Sequence, residues 1–283
     1  MERGKVDEAG VLWTHFEPIT AESLAQLDGL RVIVCPATGL DHIDLEACEE
    51  RGIAVLSLQG ETEFLRTIPS TAEHTWALIL ALVRRIPWAF DDVRKGNWDR
   101  DAFQGMELKG KTLGILGMGR VGTQVAQLAQ VFRMDVTCYD HVPNLFPSGV
   151  ENVGLNYLLS RWADILTIHV PLNDETRGML NEERLRMLPR GSYVVNTSRA
   201  EIVDTDAMID LLDEGHIAGY ATDFADQALW DYVVLRGHDS NCLITPHIAG
   251  NTKEAREATD AFMGKKLERW LEENPVEDSV TIA

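Results

Sequence analysis

Basic residues are scarce in this chain: 26 lysines and arginines stand against 45 aspartates and glutamates, a formal charge of -19. Such an acidic surface repels phosphate backbones and anionic lipid, so neither nucleic acid nor a membrane is expected as a partner. Cysteine is scarce too. Cys35, Cys48, Cys138 and Cys242 lie in or beside apolar stretches, without CxxC or CxH spacing. That spacing argues against a disulfide framework or a zinc site, and no metal is expected. No apolar run reaches the roughly 20 residues that cross a bilayer. The opening MERGKVDEAG lacks the apolar stretch of a secretory signal, so the expected location is the cytoplasm, with reduced thiols. Internal repeats and low-complexity tracts are also absent.

What is present is enough chain for two modest domains: 283 residues, patterned as alternating strands and helices. Val11-Leu12-Trp13, Val32-Ile33-Val34 and Ile53 to Leu56 read as strands. Between them lie helical patterns from Thr20, a capping residue, to Leu27 and from Leu45 to Arg51. A long apolar helix then starts at Pro69-Ser70 and ends near Arg85, where Pro87 interrupts it. Asp91 to Gly110 is polar and irregular. From Lys111 onward six strands alternate with helices, the complement of a doubly wound parallel sheet. The final helix, from about Lys253 to Leu271, is expected to pack back on the first domain.

The sharpest motif follows the apolar stretch 112–116. Gly117, Gly119 and Gly122 form the run GMGRVG, and Asp140 closes the next apolar stretch eighteen residues beyond the last glycine. Gly117 permits a tight turn, Gly119 lets backbone approach a pyrophosphate, and Gly122 lets the following helix pack closely on the sheet. The helix N-terminus offers unpaired N–H groups to phosphate. Asp140 can accept both hydroxyls of an adenosine ribose and would repel a 2′-phosphate, so the expected cofactor is NAD rather than NADP.

Two later strands end in chemistry-bearing residues. Arg199 follows Tyr193-Val194-Val195, and His247 follows Leu243-Ile244. Ligands of open parallel sheets collect at the carboxyl ends of strands, so both side chains are expected to face the nucleotide crevice. A guanidinium can hold a carboxylate by two parallel hydrogen bonds and polarise the neighbouring carbonyl. An imidazole can give a proton to that carbonyl oxygen, or take it back in the reverse reaction. Together with a nicotinamide they amount to a 2-oxo acid reductase.

From Gly10 to the last helix the chain resembles the D-isomer-specific 2-hydroxyacid dehydrogenases, which include phosphoglycerate, glycerate, lactate and formate dehydrogenases. The resemblance rests on GLDHIDLEACEERGI at 39–53, STAEH at 70–74, GMGRVG at 117–122, HVPLNDETRGMLN at 169–181, NTSRAEIVD at 196–204 and TPHIAGNT at 245–252. It implies an NAD-binding Rossmann domain over 87–252. A smaller flavodoxin-like α/β substrate domain, 1–86 with 253–283, and a homodimer are implied as well. It assigns carboxylate binding and carbonyl polarisation to Arg199, acid–base work to His247, and substrate contact to the loop Ala37-Thr38-Gly39. Cofactor contacts fall on Gly117, Gly119, Arg120, Val121, Gly122, Asp140, His169, Pro171, Thr176, Thr197, Ser198, Asp223 and Gly250. The implied activity is NAD-dependent interconversion of a small 2-oxo acid and its D-2-hydroxy acid. Closure of the two domains would exclude water. A non-catalytic NAD(H) sensor on the same fold and a formate dehydrogenase-like activity are the alternatives.

The chain departs from the family pattern in three places. A glutamate usually partners the family histidine, and an ungapped comparison from Asp223 puts Ala228 there; Asp226 is expected to substitute, with Gln227 as the other candidate. Phosphoglycerate dehydrogenases carry phosphate-binding arginines where this chain has Thr14 and Cys35, which turns the expectation toward an unphosphorylated acid; Trp13, Trp76 and Trp98 could line an apolar pocket. Family members also have a strand and helix before the position of Gly10.

Overall fold

The computed structural model describes residues 10–142, 146–161 and 163–275. Residues 1–9, where family members carry a further strand and helix, lie outside that range. The chain divides into two compact units, Met1–Thr67 with Lys253–Ala283, and Ile68–Thr252.

The smaller unit is built from β1 (Val11–Trp13), α1 (Ala21–Leu24), β2 (Val32–Cys35), α2 (Leu45–Glu50), β3 (Ala54–Ser57), α3 (Thr62–Leu65) and the C-terminal helix Lys253–Glu273. The three strands are parallel, in the order β1-β2-β3. Alternation along each strand sends side chains to both faces. Leu12, Ile33 and Cys35 join Leu24 and Cys48 in one core, while Val11, Val32 and Val34 join Leu65, Met263 and Leu267 in another. The final helix therefore packs on the first sheet. Thr20 caps α1 reciprocally with Ser23, and the Asp44 carboxylate accepts from the Ala47 amide at 3.0 Å to start α2.

The larger unit runs α4 (Ser70–Val83), α5 (Ile86–Arg94), β4 (Thr112–Leu116), α6 (Arg120–Val131), β5 (Asp135–Tyr139), β6 (Val150–Asn152), α7 (Leu155–Arg161), β7 (Ile165–Ile168), α8 (Glu182–Met187), β8 (Ser192–Asn196), α9 (Thr205–Asp213), β9 (Ile217–Thr222), α10 (Gln227–Arg236) and β10 (Cys242–Ile244). Its sheet is wholly parallel, in the order β10-β9-β8-β7-β4-β5-β6. The chain leaves β4 toward β5 and β6, then returns to lay β7 on the other side of β4. The β4/β7 junction is thus the switch point at which a doubly wound sheet binds ligands.

Three details differ from the sequence expectation. The sheet has a seventh strand, β6, a short edge piece with two exposed residues and hence little apolar signal. Pro87 opens a helix rather than only ending one: Arg85 adopts a left-handed conformation at φ 53, and α5 starts with the proline in its first turn. Finally, α4 belongs to the larger unit, because Trp76, Ile79, Leu82 and Val83 share a core with Leu113, Ile115 and Val125. The unit boundary accordingly falls after Thr67, not after Ile86. No helix among the described residues is long and apolar enough to cross a membrane.

Candidate active site

Six strands of the larger sheet end in residues that the sequence singled out. After β4, Gly117 turns at φ 94, and a Cβ on it would stand 2.8 Å from the His169 carbonyl carbon and the Val170 nitrogen. Gly122 is tighter still: a Cβ there would lie 2.1 Å from the Gly117 oxygen. Gly119 differs, because among the described residues nothing beyond its chain neighbours lies within 4 Å of its would-be Cβ. Two glycines thus serve the close contact of turn and helix, and the third keeps space open beside the N-terminus of α6. No side chain among the described residues caps that helix, so Arg120, Val121 and Gly122 present their amides where an anion would meet them. Burial lowers the pKa of the Arg120 guanidinium.

Around this turn the polar groups suit a dinucleotide. Asp140, after β5, accepts from the Met118 amide at 2.7 Å and from the Val142 amide at 2.9 Å. It therefore braces the glycine turn itself, and a carboxylate with about four lone-pair sites keeps two for a ribose diol. His169, after β7, brings Nδ1 to 3.4 Å from the Thr197 hydroxyl. Its Nε2 is buried and makes no hydrogen bond among the described residues. Burial, reinforced by the Arg120 charge, pushes the imidazole down to about 3, so it is neutral at ordinary pH. An orphaned ring nitrogen, an open glycine and an uncapped helix start fit a bound pyrophosphate and its sugars. Thr197 also pairs with Thr75 at 2.9 Å, and the Ser198 hydroxyl donates to the Ile168 carbonyl at 3.2 Å. Thr176 donates to the Pro171 carbonyl at 2.6 Å and accepts from the Asn173 amide at 2.8 Å, which uses its hydroxyl to shape the turn after β7. Gly250 is exposed at the end of the loop after β10.

That loop is held by Asp223, the fully buried residue that follows β9. One carboxylate oxygen accepts from the Thr245 hydroxyl at 2.6 Å and the Ile248 amide at 2.9 Å, and the other accepts from the Ala249 amide at 2.7 Å. The Asp223 carbonyl takes the His247 amide at 3.0 Å. On the far side, His74 from α4 places Nε2 2.9 Å from the Thr245 hydroxyl and 3.5 Å from the Asp223 carboxylate. This network maintains His247 in the left-handed region, at φ 55, a conformation that a bulky residue holds only when its surroundings impose it. Burial works against ionisation of Asp223, but the bonds from His74, Thr245 and the Ile248 and Ala249 amides outweigh it, and the net shift is downward. A depressed carboxylate contributes stability above its unfolded pKa and loses it as pH falls through the folded one. Asp223→Asn, which sets an N–H₂ against these donors, is expected to lower stability by about 2 kcal/mol. In thermal melts the gap to wild type should hold from about pH 5 to 8 and close below about pH 4; a gap that persists unchanged into strong acid would contradict the ionised clamp.

Arg199 leaves β8 with its Nη1 donating to the Ser198 carbonyl at 2.8 Å, and the buried Asn196 side chain donates to the Arg199 carbonyl at 2.8 Å. Its guanidinium carbon lies 5.0 Å from the centroid of the Phe224 ring. The same ring meets the imidazole of His247, with centroids 4.3 Å apart at an interplanar angle of 50°. The two candidate catalytic groups therefore converge on one aromatic side chain, across the ends of the neighbouring strands β8, β9 and β10.

The expected stand-in for the family glutamate has another role. Asp226 is the N-cap of α10: one oxygen accepts from the Leu229 amide at 2.9 Å, and the other takes the Thr205 hydroxyl. Gln227 donates to Asp231 at 2.7 Å, and Ala228 is the next residue of the same helix. Substitution by Asp226 is thus corrected to helix capping, which meets an orphan amide donor.

In the smaller unit, Ala37, Thr38 and Gly39 follow the carboxyl end of β2, with the Ala37 carbonyl accepting from the Leu58 amide at 3.0 Å. After β1, Thr14 donates to Glu17 at 2.8 Å. The His15 amide, followed by the Glu17 amide, the Thr14 hydroxyl and the Phe16 amide, holds the Glu17 carboxyl down at about 2. Burial pushes the Cys35 thiol up to about 12. The positions matching the phosphate-binding arginines therefore offer a neutral hydroxyl, a neutral thiol and, beside them, a fixed anion. Of the three tryptophans, Trp76 is a core residue stacked on Phe132 at 4.6 Å, Trp13 packs on the small unit's own core, and Trp98 is 87% exposed.

Residues 76–249 match the model of the D-isomer specific 2-hydroxyacid dehydrogenase family, NAD binding domain. The chain belongs to this family. It is 38% identical over 271 residues to a glyoxylate reductase of Thermofilum pendens, which covers 92% of this chain and 78% of that protein. It is 32% identical over 274 residues to a D-3-phosphoglycerate dehydrogenase of Bacillus subtilis, covering 93% of this chain but 50% of the relative. The chain thus spans about half the length of such phosphoglycerate dehydrogenases. Its structure is similar to that of D-lactate dehydrogenase from Aquifex aeolicus complexed with NAD and lactic acid, at a TM-score of 0.80 and 31% identity, over 95% of this chain and 85% of that one.

For this family member the structure adds residues that the motifs left without a role. His74 closes STAEH and Asn196 opens NTSRAEIVD, so both lay inside quoted motifs, and their types, polar yet next to apolar runs, were a usable signal of buried hydrogen bonding. Phe224 carried no such signal, since an aromatic after a buried strand reads as core.

Proposed function

We propose that this protein is an NAD-dependent oxidoreductase that interconverts a small, unphosphorylated 2-oxo acid and its D-2-hydroxy acid. The observation that carries this reading is the convergence of Arg199 and His247 on Phe224, at the strand ends that also bear the glycine turn and Asp140. Arg199 grips the substrate carboxylate through its fork and draws electron density from the adjacent carbonyl. His247 delivers a proton to the C2 carbonyl oxygen in the reducing direction and removes it from the C2 hydroxyl in the oxidising one. NAD, when bound, supplies or accepts the hydride at C2. Asp140 accepts from the ribose hydroxyls, and the amides of Arg120 and Val121 meet the pyrophosphate.

The preference for an unphosphorylated acid rests on Thr14 and Cys35, which stand where phosphoglycerate dehydrogenases carry phosphate-binding arginines: a hydroxyl and a thiol supply no positive charge for a phosphate. The test is loss of NADH absorbance with glyoxylate, hydroxypyruvate and 3-phosphohydroxypyruvate. Turnover of the first two is expected, with kcat/KM for the phosphorylated acid about ten-fold lower or less. Tight NADH binding without turnover of any 2-oxo acid would overturn the enzyme in favour of a sensor. Faster turnover of the phosphorylated acid would overturn the preference alone.

A cytoplasmic homodimer is part of the same proposal. Ile86, Phe90 and Val93 make an exposed apolar stripe on α5, a surface suited to a second copy, and the four cysteines are unpaired and buried. Light scattering should return twice the 31.6 kDa chain mass; a monomer would remove the dimer.

A further inference from the structure

Phe224 touches both groups to which the proposed reaction assigns chemistry. Its backbone is fixed from two sides: the Thr222 hydroxyl accepts from the Phe224 amide at 3.1 Å and donates to the Phe224 carbonyl at 2.7 Å. Thr222 is itself fully buried at the end of β9, and the residue between them is the Asp223 clamp. The ring thus projects from one of the most constrained points of the sheet edge. Against it rest an arginine with four rotatable side-chain bonds and an imidazole on a left-handed backbone. Both lose freedom when held, and both attract the electron-rich face of an aromatic ring when charged.

We propose that Phe224 is a positioning residue for Arg199 and His247, a shared platform that sets the guanidinium and the imidazole relative to each other. The inference rests on the reductase reading above. An aromatic side chain suits the task in a way a carboxylate would not. A carboxylate against Arg199 would occupy the N–H fork intended for the substrate and repel the substrate's own carboxylate. The ring takes no hydrogen bond from the guanidinium and restrains the group by its face. It also serves two strand ends at once, so Arg199 and His247 shift together or not at all.

The test is a pair of variants. Phe224→Leu keeps an apolar side chain but removes the face, and Phe224→Tyr keeps the face. Phe224→Leu should lower kcat/KM for the preferred 2-oxo acid about ten-fold or more, since small misplacements of reacting groups are costly. The loss should be divided between a raised KM, from Arg199, and a lowered kcat, from His247. NADH affinity and melting temperature should stay near wild type, and Phe224→Tyr should recover most of the activity. Wild-type kinetics in Phe224→Leu, or a tyrosine variant as impaired as the leucine one, would overturn the role. A second readout needs no turnover: NMR shifts of the His247 ring protons should carry a ring-current displacement in wild type and Phe224→Tyr that Phe224→Leu loses. Equal shifts in all three would overturn the platform even in an active enzyme. A displacement present in a protein that reduces no 2-oxo acid would keep the platform and discard only the reductase reading.

Discussion

Replacing His247 by asparagine is expected to lower kcat for 2-oxo acid reduction by about two to four orders of magnitude, the usual worth of a positioned acid–base group, while NADH binds as before. Asparagine is the informative choice because of the backbone. His247 sits at φ 55, a region that asparagine tolerates better than most side chains, so the loop should keep its path when the imidazole is gone. The loop is in any case held through atoms the substitution leaves alone: the amides of residues 247, 248 and 249 bond to Asp223. What disappears is the group able to give and take a proton near neutral pH. Arg199 and its contact with Phe224 remain, so KM should change much less than kcat. Single-turnover absorbance at 340 nm measures the first effect and quenching of NADH fluorescence on titration the second. A variant that retains a third of wild-type kcat would show that the proton comes from elsewhere.

How much of this site was legible in the sequence depended on how local each constraint is. Gly117 and Gly122 stand out because a tight turn followed by a close-packed helix excludes a Cβ at each, a requirement met within six residues. Arg199 and His247 stand out because any polar residue just past a buried parallel strand is delivered to the ligand edge. The unit containing α4 was not legible: an apolar helix between two domains suits either core, and only the packing of Trp76 and Leu82 with Val125 decides. Asp226 shows how two roles compete for one residue. An aspartate in a loop near a histidine suggests a partner, yet an aspartate three residues before an unpaired helix amide is a cap, and the local bond prevailed. Phe224 was hidden for a different reason: its contacts run to two other strands, and a sequence does not show which faces meet.

The glycine turn yields the second large effect, through a contrast between two single-methyl substitutions. Gly122→Ala must place a carbon where 2.1 Å separates it from the Gly117 oxygen. Gly117 cannot yield inward, because a Cβ position on it already lies 2.8 Å from the backbone of the loop after β7, and its amide is bonded to the Tyr139 carbonyl at 2.9 Å. The displacement has to go outward, into the space beside Gly119 that the pyrophosphate would occupy, or into the α6–β4 packing. Gly122→Ala is therefore expected to destabilise the protein by about 1 to 3 kcal/mol, as overpacking does, and to weaken NADH binding by roughly a hundred-fold, since a displaced turn no longer aims its amides at phosphate. Gly119→Ala should separate these effects. Its backbone, at φ -74, accepts alanine, and its Cβ would meet nothing among the described residues, so the melting temperature should be unchanged. The methyl would nevertheless fill the approach path of the cofactor, and NADH affinity should fall. If Gly119→Ala bound NADH as wild type does, the pyrophosphate would have to pass elsewhere, and the open space at Gly119 would lose its meaning as a cofactor cradle. If it melted early like Gly122→Ala, the glycine would be serving the fold instead.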